Sequence, residues 1–125
     1  MATDVQGTTA RRYHTQQTHY LRKRVSFDDA SLGGIVGILP ANAIILRGNV
    51  YVFTAFNAGT LDVGAQGTSA NTFASALALA QAIVPFDDLA IGNARRAADT
   101  TVTFARSATA TAGEAEIIVE YVVKN

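Results

Sequence analysis

The sharpest pattern in the chain lies at its end. In "EAEIIVEYVVKN", Ala115, Ile117, Val119, Tyr121 and Val123 occupy one parity, and Glu114, Glu116, Glu120 and Lys124 the other. A period of two describes a strand with one buried face, and a one-residue slip would turn Ile117, Val119 and Tyr121 outward. The stretch from Tyr20 alternates in the same way, with Leu21, Val25 and Phe27 on one face and Arg22 and Arg24 on the other. Asp28-Asp29-Ala30-Ser31 then supplies turn residues, and "LGGIVGILP" reads as a short glycine-rich strand closed by Pro40.

"ANAIILRGNVYVFTAFN" is the longest strand-like stretch. Ile44, Leu46, Val50, Val52 and Phe56 share one parity, and Ile45, Tyr51, Phe53 and Ala55 the other. Gly48 in its middle marks a bulge or bend in one long strand; the alternative is a hairpin turning at Arg47-Gly48-Asn49. The alternation breaks at Asn57-Ala58-Gly59, residues that tolerate a tight reversal, and resumes with Leu61 and Val63. In "AQGTSANTFASALALAQAIV", Ser69 or Asn71 can cap a short helix with Phe73, Leu77 and Ala80 at helical spacing, so a loop with one or two helical turns is expected, ended by Pro85. "FDDLAIGNARRAAD" reads as strand then loop, and "TTVTFARS" alternates again. Seven or eight short strands with glycine and proline at the corners predict an all-β chain. The expected fold is an antiparallel β-sandwich, jelly-roll-like or Greek key, with an extended N-terminal arm and at most one short helix.

Composition narrows the picture. At 125 residues there is room for one domain, which at this size buries about two-thirds of the surface its unfolded chain exposes. Residues 1–18 are polar, rich in Thr and Gln and without a hydrophobic period, so they read as an extended or disordered basic arm ahead of a single sandwich domain at 19–125. Charged residues make up 16% of the chain against 49% hydrophobic, which leaves a neutral surface of Ala, Thr, Ser, Gly and Asn suited to contact with other protein.

The formal net charge is zero, but the first 27 residues carry Arg11, Arg12, Arg22, Lys23 and Arg24 against Asp4, a balance of +4 that leaves −4 on the other 98. A basic segment of this kind meets an acidic partner, protein or nucleic acid. Five basic residues spread over fourteen positions, in a chain of pI about 6.7, make a weak nucleic-acid footprint, so a protein contact is the preferred reading. Arg11, Arg12, Tyr13, Arg22, Lys23 and Arg24 are its candidate residues; Arg22 and Arg24 can fork onto carboxylates of a neighbouring subunit. Neither a signal-peptide core nor a membrane-length apolar run is present, so no membrane partner is expected and the chain stays, or is assembled, where it is made.

Candidate chemistry is sparse. With no cysteine, a disulfide, a thiolate zinc site and a cysteine nucleophile are all excluded. His14 and His19, five positions apart, point to opposite faces of a strand and miss the alignment of a helical metal pair, so they read as solvated side chains rather than ligands. Asp28-Asp29 and Asp87-Asp88 each follow a phenylalanine that ends an apolar run; they read as turn residues, and two acids fall short of the six to eight oxygens that calcium takes. "GTSAN" lacks the second glycine of a nucleophile elbow, and "LGGIVG" leads into no capped helix with a lysine. The expectation is a non-enzymatic protein without metal or cofactor.

The run "GILPANAIILRGNVYVFTAFNAGTLDVGAQGTSANTFASALALAQ", with "VSFDDASLGG" before it and "GEAEIIVEYV" near the end, resembles the jelly-roll decoration, or cement, proteins of tailed-bacteriophage capsids. In that group an "LPA" corner precedes a long strand, "AFNAGT" and "LDVG" follow it, and the last strand carries a "VEYV"-like sequence. The resemblance spans roughly Val25 to Val123, and its motifs are corners and strands rather than catalytic signatures. It implies a virion protein, assembled in the host cytoplasm, that clamps neighbouring major capsid protein subunits from outside the shell as a homo-dimer or homo-trimer. Related sequences also sit in head fibres or tails, where a receptor- or carbohydrate-binding sandwich is the alternative function, with Tyr13, Tyr20, Tyr51 and Tyr121 as its candidate aromatics. The arm "ARRYHTQQTHYLRKR" matches no motif of the group.

Overall fold

The computed structural model describes residues 18–123. Eight strands follow one another: β1 (His19–Ser26), β2 (Gly33–Leu39), β3 (Ala43–Thr54), β4 (Thr60–Ala65), β5 (Ser69–Ala78), β6 (Ala82–Pro85), β7 (Thr100–Arg106) and β8 (Glu114–Val123). One helical turn, α1 (Ile91–Ala94), lies between β6 and β7. They form two four-stranded antiparallel sheets, ordered β1-β8-β3-β6 and β2-β7-β4-β5. This is the strand order of an eight-stranded jelly roll, the expected β-sandwich.

The two sheets bury their facing sides against each other. Val25, Ala43, Ile45, Val50, Val52, Ala115, Ile117 and Val119 come from the first sheet, and Val36, Leu39, Leu61, Val63, Ala65, Phe73, Leu77, Val102 and Phe104 from the second. Phe56, Leu79, Phe86 and Ala94 close the core from the connections. β8 follows its sequence pattern: Ala115, Ile117 and Val119 are buried, and Tyr121 packs against the core. In β1, Val25 is buried and Leu21 half-buried, whereas Phe27 lies beyond the strand and is partly exposed, its N–H donating to the Gly113 carbonyl (3.1 Å).

β3 is one long strand, as preferred over a hairpin at Gly48, but its parity departs from the sequence reading. The pairing with β8 skips a residue between Ile45 and Arg47. The extra residue turns Leu46 outward, 50% exposed, and brings Ile45 into the core at 4%. Upstream of the bulge the odd positions face inward; downstream it is Val50 and Val52. Gly48 is required for a different reason than a bend. A Cβ there would fall 2.1 Å from the Phe86 ring, and the Phe86 N–H donates to the Gly48 carbonyl (2.9 Å), so the ring lies directly on the strand.

The helix expected after Ser69 is strand β5 instead. Phe73 and Leu77 are four apart, an even spacing that satisfies a strand as well as a helix, and both are buried against the core. Pairing with β4, Leu61↔Leu77 and Val63↔Ala74, overrides the helical preference of the alanines. An irregularity in that pairing puts Ala76 at φ 51, held by the Asp62 carboxylate, which accepts from the Ala76 N–H (2.7 Å). The single helical turn forms within "FDDLAIGNARRAAD". Asn93 anchors it, donating to the carbonyls of Thr72 (2.9 Å) and Asp88 (2.7 Å).

Asn57-Ala58-Gly59 is a corner between sheets: β3 belongs to the first and β4 to the second. Gly59 takes φ 86, and a Cβ on it would meet the Ala108 N at 2.9 Å.

Gly48→Ala is expected to cost about 1–3 kcal/mol of stability, because a new methyl must displace a buried ring. Urea denaturation reads this as a lower midpoint with an unchanged slope; a wild-type midpoint would mean that the Phe86 ring moves aside freely.

Candidate functional site

The outer face of the first sheet carries the described members of the basic cluster. Arg22 and Arg24 point outward from β1, and the register sets Arg22 opposite Ile118 and Arg24 opposite Glu116. Each arginine leans to a diagonal glutamate, two residues on: Arg22 pairs with Glu116, and Arg24 with Glu114 at 2.6 Å. On the other side of β8, Arg47 pairs with Glu120 at 2.9 Å. Three arginines and three glutamates thus form a neutral ladder across β1, β8 and β3. The arginine side chains remain 60–71% exposed, so each pair is screened by solvent and contributes little to folding.

Lys23 sits on the parity of Leu21 and Val25, yet it is exposed. A charge at an inward-facing position of an edge strand opposes pairing of that edge with another strand. Arg11, Arg12, Tyr13 and His14 lie outside the described residues. The expected basic cluster is therefore visible in its second half only, and two of its three charges are matched within the chain.

Exposed apolar side chains surround this ladder. Tyr20 is 62% exposed and lines a shallow hollow with Thr18, Arg22, Ile118 and Glu120. At the far side of the sheet Tyr51 pairs with Ile83 across β3 and β6, and a second hollow is lined by Tyr51, Phe53, Gln81, Ala82 and Ile83. Phe53 and Ile83 are 53% and 63% exposed. On the second sheet, the edge strand β2 presents Ile35 and Ile38 and bears no charged residue.

The residues singled out for catalysis or metal binding serve the fold. Asp29 accepts from the Ser26 N–H (3.0 Å), and Asp28 bonds the Ser26 hydroxyl, closing the turn after β1. Asp87 accepts from the Ser75 N–H (3.0 Å), and the Asp88 N–H donates to the Phe73 carbonyl (3.0 Å). The His19 ring lies 5.6 Å from that of Tyr121. Among the described residues no group of three or more His, Asp or Glu is placed to hold a metal ion, and no helix is long and apolar enough to cross a membrane.

One charged residue stands apart from all of these. Arg106, the last residue of β7, follows Val102 and Phe104 on the inward parity and is 4% exposed. Its Nε, Nη1 and Nη2 are buried without a hydrogen-bond partner among the described residues. The guanidinium lies over the Phe56 ring, 5.3 Å from its centroid. Such a contact returns about 2 kcal/mol when desolvated, whereas removing a cation from water costs several kcal/mol even after relaxation. The aromatic face alone leaves Arg106 short of an acceptor. Sequence reading passed over it, although the alternation Val102, Phe104, Arg106 already set it on the core side.

No protein-family model and no curated protein matches the chain. Solved structures do match. A chain in the capsid asymmetric unit of cyanophage Pam1 superposes with a TM-score of 0.64 at 22% identity, covering 86% of this chain and 85% of that one. One in the acidic stable capsid of Helicobacter pylori bacteriophage KHP30 gives 0.67 at 15% identity, with 86% and 89% covered. One in the capsid of Ralstonia phage GP4 gives 0.60 at 19% identity, with 87% and 86% covered. Nearly equal coverage on both sides means that those chains are close to this one in length. The jelly roll described here is thus a fold found, at similar size, in the capsids of three phages.

Proposed function

We propose that this chain is a non-enzymatic structural protein of a phage particle that binds the outer surface of the capsid and clamps neighbouring coat subunits. The observation that carries the reading is the complete eight-stranded jelly roll, matched over 86–87% of the chain by capsid chains of comparable length. The surface supports it. The charges on the outer face of the first sheet are matched in pairs, which disfavours a polyphosphate backbone as partner. Apolar side chains stand exposed as well, Phe53 and Ile83 on the same sheet and Ile35 and Ile38 on the edge of the other, as at the core of a protein contact. An interface of ordinary size buries about 800 Å² on each partner, and repetition over the shell makes modest contacts collectively strong.

In this reading the arm before β1, with Arg11, Arg12 and Tyr13, reaches an acidic face of the coat protein. Lys23 extends that contact along the β1 edge, together with Arg22 and Arg24, whose exposed guanidinium groups keep donors free beyond their pairs with Glu116 and Glu114. The uncharged β2 edge suits a second copy of the chain, in a homo-dimer or homo-trimer. A second reading, a tail or head-fibre component with a receptor- or carbohydrate-binding sandwich, rests on the hollow at Tyr20, where an exposed aromatic ring stands beside Arg22 and Glu120. Copy number separates the two, since hundreds per particle belong to a cement and a few to a few dozen to a fibre or tail. A glycan array tests the second directly.

Removal of residues 1–18 is expected to leave a folded β protein, by circular dichroism, that occupies purified capsids less fully. Undiminished occupancy would take the arm out of the contact. Arg22→Ala with Arg24→Ala is expected to change stability by less than about 1 kcal/mol per pair, since both arginines are solvent-screened, while lowering capsid occupancy in a salt-dependent manner. Wild-type occupancy by that folded double variant would exclude the β1 edge.

A further inference from the structure

The two ends of the sandwich handle the same arrangement differently. At the end holding α1, the Arg96 guanidinium lies over the Phe73 ring, 5.7 Å from its centroid. Its Nε donates to the Thr100 hydroxyl (3.1 Å) and its Nη1 to the Asn93 carbonyl (3.0 Å). At the opposite end the Arg106 guanidinium lies over Phe56 and, among the described residues, donates to nothing. Both arginines stack on an aromatic face; only Arg96 is supplied with oxygen acceptors.

Two polar loops flank Arg106, one carrying the Phe56 ring and the other continuing from Arg106 itself. The segment "SATATAG", Ser107 to Gly113, lies against the Asn57-Ala58-Gly59 corner: the Thr111 N–H donates to the Asn57 side-chain oxygen (2.9 Å), and the Ser107 N–H to the Thr60 carbonyl (2.9 Å). Gly113, at φ +143, presses its backbone onto the Phe56 ring, where a Cβ would come within 2.3 Å. The segment carries only small side chains, and its hydrogen bonds run to the Asn57–Thr60 corner and to Phe27, none of them to the Arg106 guanidinium. The five donors of a guanidinium in a fixed fork match the oxygens of a carboxylate or phosphate, and a buried unpaired polar group in a native fold calls for an explanation, a bound partner among them.

We infer that Arg106 is the cation of an oxyanion site at the loop end of the sandwich, which takes one carboxylate or phosphate-like group between the 55–59 and 107–113 loops. The oxyanion has two sources, an Asp or Glu side chain of a neighbouring protein subunit or free inorganic phosphate. The first source deepens the capsid-binding reading and rests on it; the second does not.

Two variants of the full chain test the site: Arg106→Met, which removes the charge at similar volume, and Arg106→Lys, which keeps the charge and loses the fork. Replacing an uncompensated buried cation by an apolar side chain leaves stability equal or higher, so Arg106→Met is expected to fold. Thermal unfolding is followed with sodium phosphate against sodium chloride at matched ionic strength, and the Arg106→Met response is subtracted to remove the general effect of phosphate on burial. A saturating rise in the wild-type midpoint, reduced in Arg106→Lys, identifies free phosphate as the ligand. Without that rise, a loss of capsid affinity of about tenfold or more in Arg106→Met, at undiminished stability, identifies a partner carboxylate. Absence of both, with wild-type chain still bound to capsids, overturns the inference. If the wild-type chain itself fails to bind capsids, the capsid reading falls, and the phosphate titration alone decides the site, with no response counting against it.

Discussion

β8 is hydrogen-bonded along both sides, to β1 from His19↔Tyr121 to Ser26↔Glu114 and to β3 from Ala43↔Val123 to Thr54↔Glu114. The rest of the first sheet is built outward from it, and its two faces carry independent information. Inward, Ala115, Ile117 and Val119 reach the centre of the core; outward, Glu116, Glu114 and Glu120 receive Arg22, Arg24 and Arg47. A slip of one residue on either side would bury the acids and expose the apolar residues, while also separating every ion pair. The ladder adds little energy but agrees with the core about where each strand must lie, a consistency that distinguishes a single register from its neighbours.

Much of this was legible where one face is apolar and the other charged. The alternation of β8 and the sandwich class follow from period two alone, and one long β3 was the preferred reading over a hairpin at Gly48. The inversion of parity within β3 did not, because Ile44, Ile45 and Leu46 are all apolar and any of them can face the core; only pairing with β8 decides which residue bulges. β5 was misread for a related reason. Phe73 and Leu77 fit both periods, and its alanines favour helix locally while long-range pairing with β4 demands a strand. Arg106 was hidden by expectation: an arginine after Phe104 reads as the polar end of a strand, although its parity points inward. Two of the three charges on β1 are matched by acids about ninety residues away, a distance across which charge counting along the chain has no reach.

The site chemistry is that of surfaces rather than of a pocket. The acids that might have served catalysis are spent on local geometry: Asp87, together with Asp62, holds the irregular part of β5, and Asp28 and Asp29 close a turn. What remains available to a partner lies around the rim and on the outer faces, where the frame fixes side chains without enclosing them. The contrast between Arg96 and Arg106 is informative in this setting, since the same fold supplies oxygen acceptors at one end and leaves them to be supplied at the other.

The order of the sheets also bears on how the chain reaches its native state. Among the described strands, β4 and β5 are the sole successive pair within one sheet, joined by the short Gln66-Gly67-Thr68 turn with Gly67 at φ +86. Every other connection crosses from one sheet to the other, so β1 must wait for β8, and β2 for β7, at opposite ends of the chain. Closing such distant pairs loses loop entropy before any contact compensates for it, which places the topology among slow folders, on the scale of milliseconds to seconds. β1 and β2 are edge strands, and each gains its one sheet neighbour, β8 or β7, only through such a distant pairing. The charges Arg22, Lys23 and Arg24 on the first of them disfavour pairing of that edge with the strand of another chain.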